Sequence, residues 1–171
     1  MKKLISLDDQ IFIAGGSGMV GSSLQKTLTN AGYGDVKRGG KLIAPSRKDL
    51  NLLNFDDVMS WYETFKPSVV IIAAGKVGGI NANANFPADF ILENLKIQTN
   101  LIELAWKNDV KRLLFLGSSC IYPKFSKQPI KEDYLLGSSL EPTNEYYAIS
   151  KIAGIKLCES LRMQYGFDAI S

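Results

Sequence analysis

The sequence predicts an α/β fold, a doubly wound parallel sheet with helices on both faces. Three observations carry that expectation. Short apolar runs alternate with stretches of helical periodicity, reading β-α-β-α-β-α-β-α-β over 171 residues. The run from Ser68 to Ala74 is almost wholly apolar, as in a parallel strand buried on both faces. The first apolar run breaks into glycines three apart, Gly15-x-x-Gly18-x-x-Gly21, just before the first helix.

The elements follow in order. Ile11 to Ala14 is a short apolar run and reads as a buried strand. In the turn that follows, Gly15 permits a tight bend, Gly18 lets the backbone approach a pyrophosphate, and Gly21 lets the next helix pack close. That helix, Ser22 to Ala31, offers free N–H groups and a partial positive charge at its start. Gly32 to Lys41 is turn-rich and reads as a surface loop; Lys41 to Ala44 is a second strand. An acidic residue at the end of that strand would bind a ribose 2′-hydroxyl. The residues there are Pro45, Ser46, Arg47 and Lys48 instead. Ser46 and Arg47 suit a 2′-phosphate, which favours NADP over NAD.

Asn54 to Lys66 carries Phe55, Val58, Met59, Tyr62 and Phe65 at amphipathic spacing, with Pro67 after its end. The third strand runs into a second glycine-rich turn, Gly75 to Gly79, at the edge where open α/β sheets bind ligands. Ala88 to Asn108 is helical and apolar on more than one face, so it either covers the sheet and a partner subunit or is buried within one chain. Lys111 to Gly117 is the fourth strand, and Ser118 to Tyr122 is expected to continue it in extended form. Alternation then puts Ser118 and Cys120 on one face and Ser119 on the other. A connection of low periodicity runs from Gly117 to Thr143, a length that points to function or mobility. The last helix spans Asn144 to Gln164, and Phe167 to Ser171 begins a fifth strand. The expected order is 3-2-1-4-5, a Rossmann-like sheet apparently truncated within or after its fifth strand.

Composition narrows the function classes. The 20 basic and 17 acidic residues leave a net charge of +3, and no basic run exceeds two residues, so neither nucleic acid nor a membrane surface is an expected partner. Histidine is absent and two cysteines have no metal-like spacing, so no metal site is expected. Distant cysteines without an export signal point to free thiols and a cytoplasmic location. No apolar run reaches the ~18–20 residues of a membrane span.

The chemistry centres on the last helix. Tyr147 and Lys151 are four apart and share a helix face, whereas Tyr146 points elsewhere. A phenol can deliver a proton to a carbonyl oxygen that receives hydride, and a nearby ammonium would lower its pKa and bind the ribose of a nicotinamide nucleotide. Ser118, leaving the fourth strand at the same edge, can hold the carbonyl in line.

Ser118, Tyr147 and Lys151 make the constellation of the short-chain dehydrogenase/reductase superfamily, and the glycine spacing resembles its extended branch. Longer stretches resemble the GDP-L-fucose synthase family: Gly75-Lys-Val-Gly-Gly-Ile80, Pro87-Ala-Asp-Phe-Ile91, Phe115-Leu-Gly-Ser-Ser-Cys-Ile-Tyr-Pro123, Glu141-Pro-Thr-Asn-Glu145 and Ser150-Lys-Ile-Ala-Gly-Ile-Lys-Leu-Cys-Glu159. The resemblance spans nearly the whole chain. It implies an NADPH-dependent 3,5-epimerase-4-reductase acting on GDP-4-keto-6-deoxy-D-mannose. In that reading Ser118, Tyr147 and Lys151 serve the reduction, and Cys120 is the base that removes protons beside the ketone, a role that suits a thiol whose pKa a neighbouring charge depresses. Cys158 reads as a buried small hydrophobe. The expected cofactor site comprises Gly15, Gly16, Ser17, Gly18, Met19, Val20 and Gly21, then Arg47, Lys48, Asp49 and Leu50, and finally Leu116, Gly117, Ser118, Ser119 and Lys151.

The sequence also departs from the family. The family pairs its cysteine with a histidine that this chain lacks, and many members carry a basic residue near Ser17. The expectation is therefore a single NAD(P)-binding domain over residues 1–171, with the substrate domain beyond it and a homodimer formed by the intact protein. The alternatives are another nucleotide-sugar epimerase, dehydratase or reductase, and a non-catalytic NADP-binding module.

Overall fold

The computed structural model describes residues 4–171. Its elements are β1 (Gln10–Ala14), α1 (Met19–Asn30), β2 (Lys41–Ile43), α2 (Phe55–Phe65), β3 (Val69–Ile72), α3 (Ile80–Asn85), α4 (Pro87–Lys107), β4 (Arg112–Phe115), α5 (Glu145–Tyr165) and β5 (Ala169–Ile170). All five strands are parallel, in the order β2-β1-β3-β4-β5. The expected order 3-2-1-4-5 is therefore corrected: β3 lies beside β1, not at the edge. The reason is burial. All four residues of β3 are buried, and an edge strand would leave one of its sides unpaired and wet. Between β1 and β4, β3 is hydrogen-bonded on both sides, with Phe12 opposite Val70 and Ile71 opposite Leu114.

Strand alternation divides the core between two faces. Phe12, Ala14, Val70, Ile72, Leu113 and Phe115 point to one face, where α2, α4 and α5 cover them through Val58, Tyr62, Leu101, Ile102, Ile152 and Ile155. Ile11, Ile13, Val69 and Ile71 point to the other, against Leu24 and Leu28 of α1. Helices thus lie on both faces, three against one. The thinly covered side shows at its far end, where Ile170 of β5 is 40% exposed. On the crowded side the Tyr62 hydroxyl donates to the Leu101 carbonyl at 3.0 Å, satisfying a group buried between α2 and α4.

Local chemistry sets the ends of α2. The Asn54 side chain accepts from the N–H groups of Asp56 and Asp57, and both aspartates sit in the first turn, where the helix dipole favours negative charge. Lys66 closes the helix in the left-handed region, and Pro67 follows. The Gly32–Lys41 stretch forms turns as expected, but it is not free. The chain ahead of β1 packs on it, with the Lys41 N–H donating to the Asp9 carbonyl at 3.3 Å. α4 buries Phe90, Ile97, Leu101, Ile102, Leu104 and Ala105 within this one chain and leaves Leu92 exposed.

Candidate active site

The glycine turn closes at the C-terminal end of β1. Gly15 takes φ +84°, and a Cβ there would sit 2.7 Å from the Ala74 backbone nitrogen, so no other residue fits without strain. The Gly18 N–H donates to the Gly15 carbonyl at 3.0 Å and tightens the turn. At Gly21 a Cβ would collide with that same carbonyl, which is how α1 comes to lie directly against the turn. Gly18 is the N-cap of α1, with no side-chain cap and no acidic residue in the first turn. The first N–H groups of the helix are therefore left to an external acceptor, and the cradle fits a pyrophosphate. Met19 and Val20 stand exposed beside it. Gln25 also serves this turn, donating through Nε2 to the Gly16 carbonyl at 2.8 Å. A glutamine in mid-helix carried no sequence signal for that role.

At the end of β2 the Asp49 carboxylate accepts from both the N–H and the hydroxyl of Ser46, at 3.0 and 2.6 Å. Those hydrogen bonds hold Asp49 below the usual carboxylate range. Ser46 is thus engaged within its own loop, leaving Arg47 and Lys48 as the exposed cations of this corner. Leu50 is buried in the larger apolar cluster, so its side chain faces the core.

At the end of β4 the chain departs from the expected extended course. Ser118 is extended, but Ser119–Ile121 is a 3-10 turn whose N-cap is Ser118. The Ser118 hydroxyl accepts the Cys120 N–H at 3.2 Å, and that hydrogen bond curls the strand end. Strand alternation is therefore not what unites Ser118 and Cys120. The turn nevertheless brings both side chains to the same place. With Tyr147 they line an open cleft of about 310 Å³, shared with Gly78, Asn83 and Asn144. Ser119 is exposed.

α5 supplies the other two groups. Tyr147 is half-buried, and burial raises its phenol above the ordinary value; the Ser118 hydroxyl opposes that shift, and the charge of a Cys120 thiolate adds to it. Lys151 is 5% exposed. Its Nζ donates to the Leu116 carbonyl at 3.0 Å and stands 4.7 Å over the Phe115 ring. Burial lowers its pKa to about 8. The Tyr147 pKa lies above its ordinary value, opposite to the direction expected from Lys151, whose Nζ is hydrogen-bonded to Leu116. Tyr146 is 46% exposed, on the outside. Cys158 is buried, and its thiol is pushed up to about 12, as for an inert core residue.

Three amide side chains brace this region. Gln98 of α4 donates to the Ser150 carbonyl of α5 at 2.6 Å, next to Lys151. Asn94 accepts from the Lys76 N–H at 2.9 Å and donates to the Lys76 carbonyl at 3.0 Å, clamping the second glycine turn. Asn83 holds the same turn from α3. These residues lie in helices whose periodicity is apolar or absent, so their polar positions carried no recognisable pattern.

The parallel sheet and its glycine cradle define a dinucleotide-binding α/β protein. The chain belongs to the NAD dependent epimerase/dehydratase family, whose model matches residues 11–171. GDP-L-fucose synthase 1 of Arabidopsis thaliana is 54% identical over 162 residues, which cover 95% of this chain and 48% of that protein. GDP-L-fucose synthase of Escherichia coli K12 is 53% identical over 159 residues, covering 93% of this chain and 48% of that protein. Among solved structures, the GDP-mannoheptose C4 reductase of Campylobacter jejuni with NADP bound superposes with a TM-score of 0.90 at 37% identity, covering 97% of this chain and 51% of that one. The chain spans about half the length of the curated relatives it matches.

Proposed function

We propose that this chain is the NADP-binding part of an enzyme that converts GDP-4-keto-6-deoxy-D-mannose to GDP-L-fucose. The observation that carries the reading is the convergence of Ser118, Cys120 and Tyr147 on one cleft at the sheet edge that holds the glycine cradle. The identity of 54% and 53% to GDP-L-fucose synthases supports the choice of substrate.

The residues take distinct roles. Gly15 to Gly21 receive the pyrophosphate at the start of α1, and Arg47 and Lys48 meet the 2′-phosphate, with Asp49 shaping their loop. Leu116, Gly117 and Ser119 flank the nicotinamide end, where Lys151 holds the ribose hydroxyls. The bound nucleotide supplies hydride. Cys120 removes the proton from a carbon beside the ketone, where the carbonyl stabilises the resulting negative charge; a proton drawn from solvent then reaches the opposite face and inverts that carbon. Tyr147 donates its phenolic proton to the ketone oxygen as hydride reaches the carbon, and Ser118 holds that oxygen in line. The phenol, kept above its ordinary pKa by burial, remains protonated at neutral pH and so acts as the acid.

We place the enzyme in the cytoplasm, whose reducing conditions suit the free thiols of Cys120 and Cys158. We propose a homodimer that pairs α4 and α5 across subunits, covering the exposed Leu92 and Ile149. The test of function is incubation of the intact protein with GDP-4-keto-6-deoxy-D-mannose and NADPH, followed by mass and stereochemical identification of the product. GDP-L-fucose is expected; a different sugar, or no oxidation of NADPH, would overturn the reading.

A further inference from the structure

Asn83 is 8% exposed and lines the cleft with Ser118, Cys120 and Tyr147. Its amide orientation is set by two carbonyls: Nδ2 donates to Gly78 at 2.8 Å and to Gly79 at 3.0 Å. Turning the amide over would press its oxygen against both of them. Oδ1 is consequently directed away from the turn, and among the described residues it has no hydrogen-bond partner although it is shut off from solvent. A buried acceptor left in that state is costly. Asn94 shows the contrast. It braces the same glycine turn, yet its oxygen accepts from the Lys76 N–H and its nitrogen donates to the Lys76 and Phe90 carbonyls. Bracing alone therefore does not require an orphaned oxygen.

The cleft's polar groups divide by type. Ser118 and Tyr147 bring O–H donors, which suit a carbonyl oxygen. Asn83 Oδ1 can only accept, and Asn144 Oδ1, on the same cleft, is likewise buried without a partner. An acceptor beside a carbonyl-binding site calls for a ligand that carries hydroxyl donors next to its ketone, as a keto-sugar does. We propose that Asn83 is a specificity-determining residue, accepting through Oδ1 a hydrogen bond from a hydroxyl of the hexose. The inference rests on the reading of this cleft as a nucleotide-sugar site. Because Oδ1 is closed to solvent in this structure, binding entails a shift of the glycine turn that Asn83 itself holds.

The experiment is calorimetric titration of the intact protein, saturated with NADPH, with GDP, GDP-mannose and GDP-mannose analogues lacking the 2- or the 3-hydroxyl. The wild type is expected to bind one analogue about 10-fold more weakly than GDP-mannose, the loss of one hydrogen bond. Asn83→Ala and the volume-conserving Asn83→Leu should bind GDP-mannose no better than that analogue, with affinity for GDP and NADPH unchanged. A wild type indifferent to both hydroxyls, variants that keep the discrimination, or variants that lose GDP and NADPH affinity in step would overturn the inference. A crystal structure of the wild type with GDP-mannose needs no variant, and it should show a sugar hydroxyl within about 3.2 Å of Asn83 Oδ1; any other partner for that oxygen contradicts the proposal. Asn83-dependent discrimination without formation of GDP-L-fucose would sink the proposed reaction and leave this inference standing. GDP-L-fucose formation with discrimination undiminished in both variants would do the reverse.

Discussion

Lys151 donates to the Leu116 carbonyl at 3.0 Å, one helical turn from Tyr147, which lines the cleft with Ser118 and Cys120. The two residues share a helix face yet act on different neighbours. The ammonium is held between the end of β4 and the Phe115 ring, where its cost to the fold can be measured.

Burial takes the Lys151 pKa from 10.5 to about 8. Below about 8 the lysine is protonated in both folded and unfolded chains, and the folded state bears the full penalty. Between about 8 and 10.5 the folded chain loses its proton first, so unfolding takes up a proton and stability rises with pH. The span corresponds to roughly 3 kcal/mol as an upper bound. Lys151→Met should therefore raise the stability of the protein, without added nucleotide, by about 1–3 kcal/mol at pH 7. The gain should shrink as pH rises past 8 toward 10.5. Denaturant titrations at several pH values check this; a loss of stability at pH 7 would mean that the hydrogen bond to Leu116 outweighs the desolvation.

Tyr147→Phe removes the proposed proton donor and should leave the fold nearly intact. Its kcat for NADPH oxidation with the keto-sugar should fall about 10²–10⁴-fold, with NADPH affinity unchanged. Steady-state kinetics beside a binding titration separates the two effects.

In the proposed reaction Cys120 acts before the reduction. Cys120→Ser should slow solvent deuterium incorporation at the carbons flanking the ketone by about 10²-fold or more. Mass spectrometry of the sugar recovered from heavy water reads the effect. Exchange at the wild-type rate would remove Cys120 from the role of base.

Arg47 is the test of cofactor choice. Loss of a charge-assisted hydrogen bond to a 2′-phosphate is worth about 1.5–3 kcal/mol. Arg47→Ala should therefore weaken NADPH binding about 10–100-fold and leave NADH binding unchanged. Equal weakening of both would mean that Arg47 does not read the 2′ position.

The strands and long helices were legible because apolar period and punctuation agree with the tertiary environment. Ser68 to Ala74 is apolar and becomes the wholly buried β3, and Asn54 and Pro67 bracket α2 where their chemistry directs. The strand order was not legible. It depends on which strand must be buried on both edges, a competition between segments that no local pattern records. The turn at Ser119–Ile121 was missed because a single hydroxyl, that of Ser118, redirects an otherwise strand-like run. Short α3 and the acceptor on Asn83 were hidden for a related reason. Six residues hold no helical period, and an orphaned oxygen exists only once both ends of its amide have been placed.

The fate of three hydrogens in one reaction tests the proposed chemistry of Cys120 and the bound nucleotide together. The intact protein would be incubated with unlabelled GDP-4-keto-6-deoxy-D-mannose and NADPH in heavy water, and the product read by NMR. GDP-L-fucose is expected to bear deuterium at C3 and C5, from exchange through Cys120, and protium at C4, from the nucleotide. A reduced product with no deuterium at C3 or C5, or no reduction at all, would contradict that chemistry.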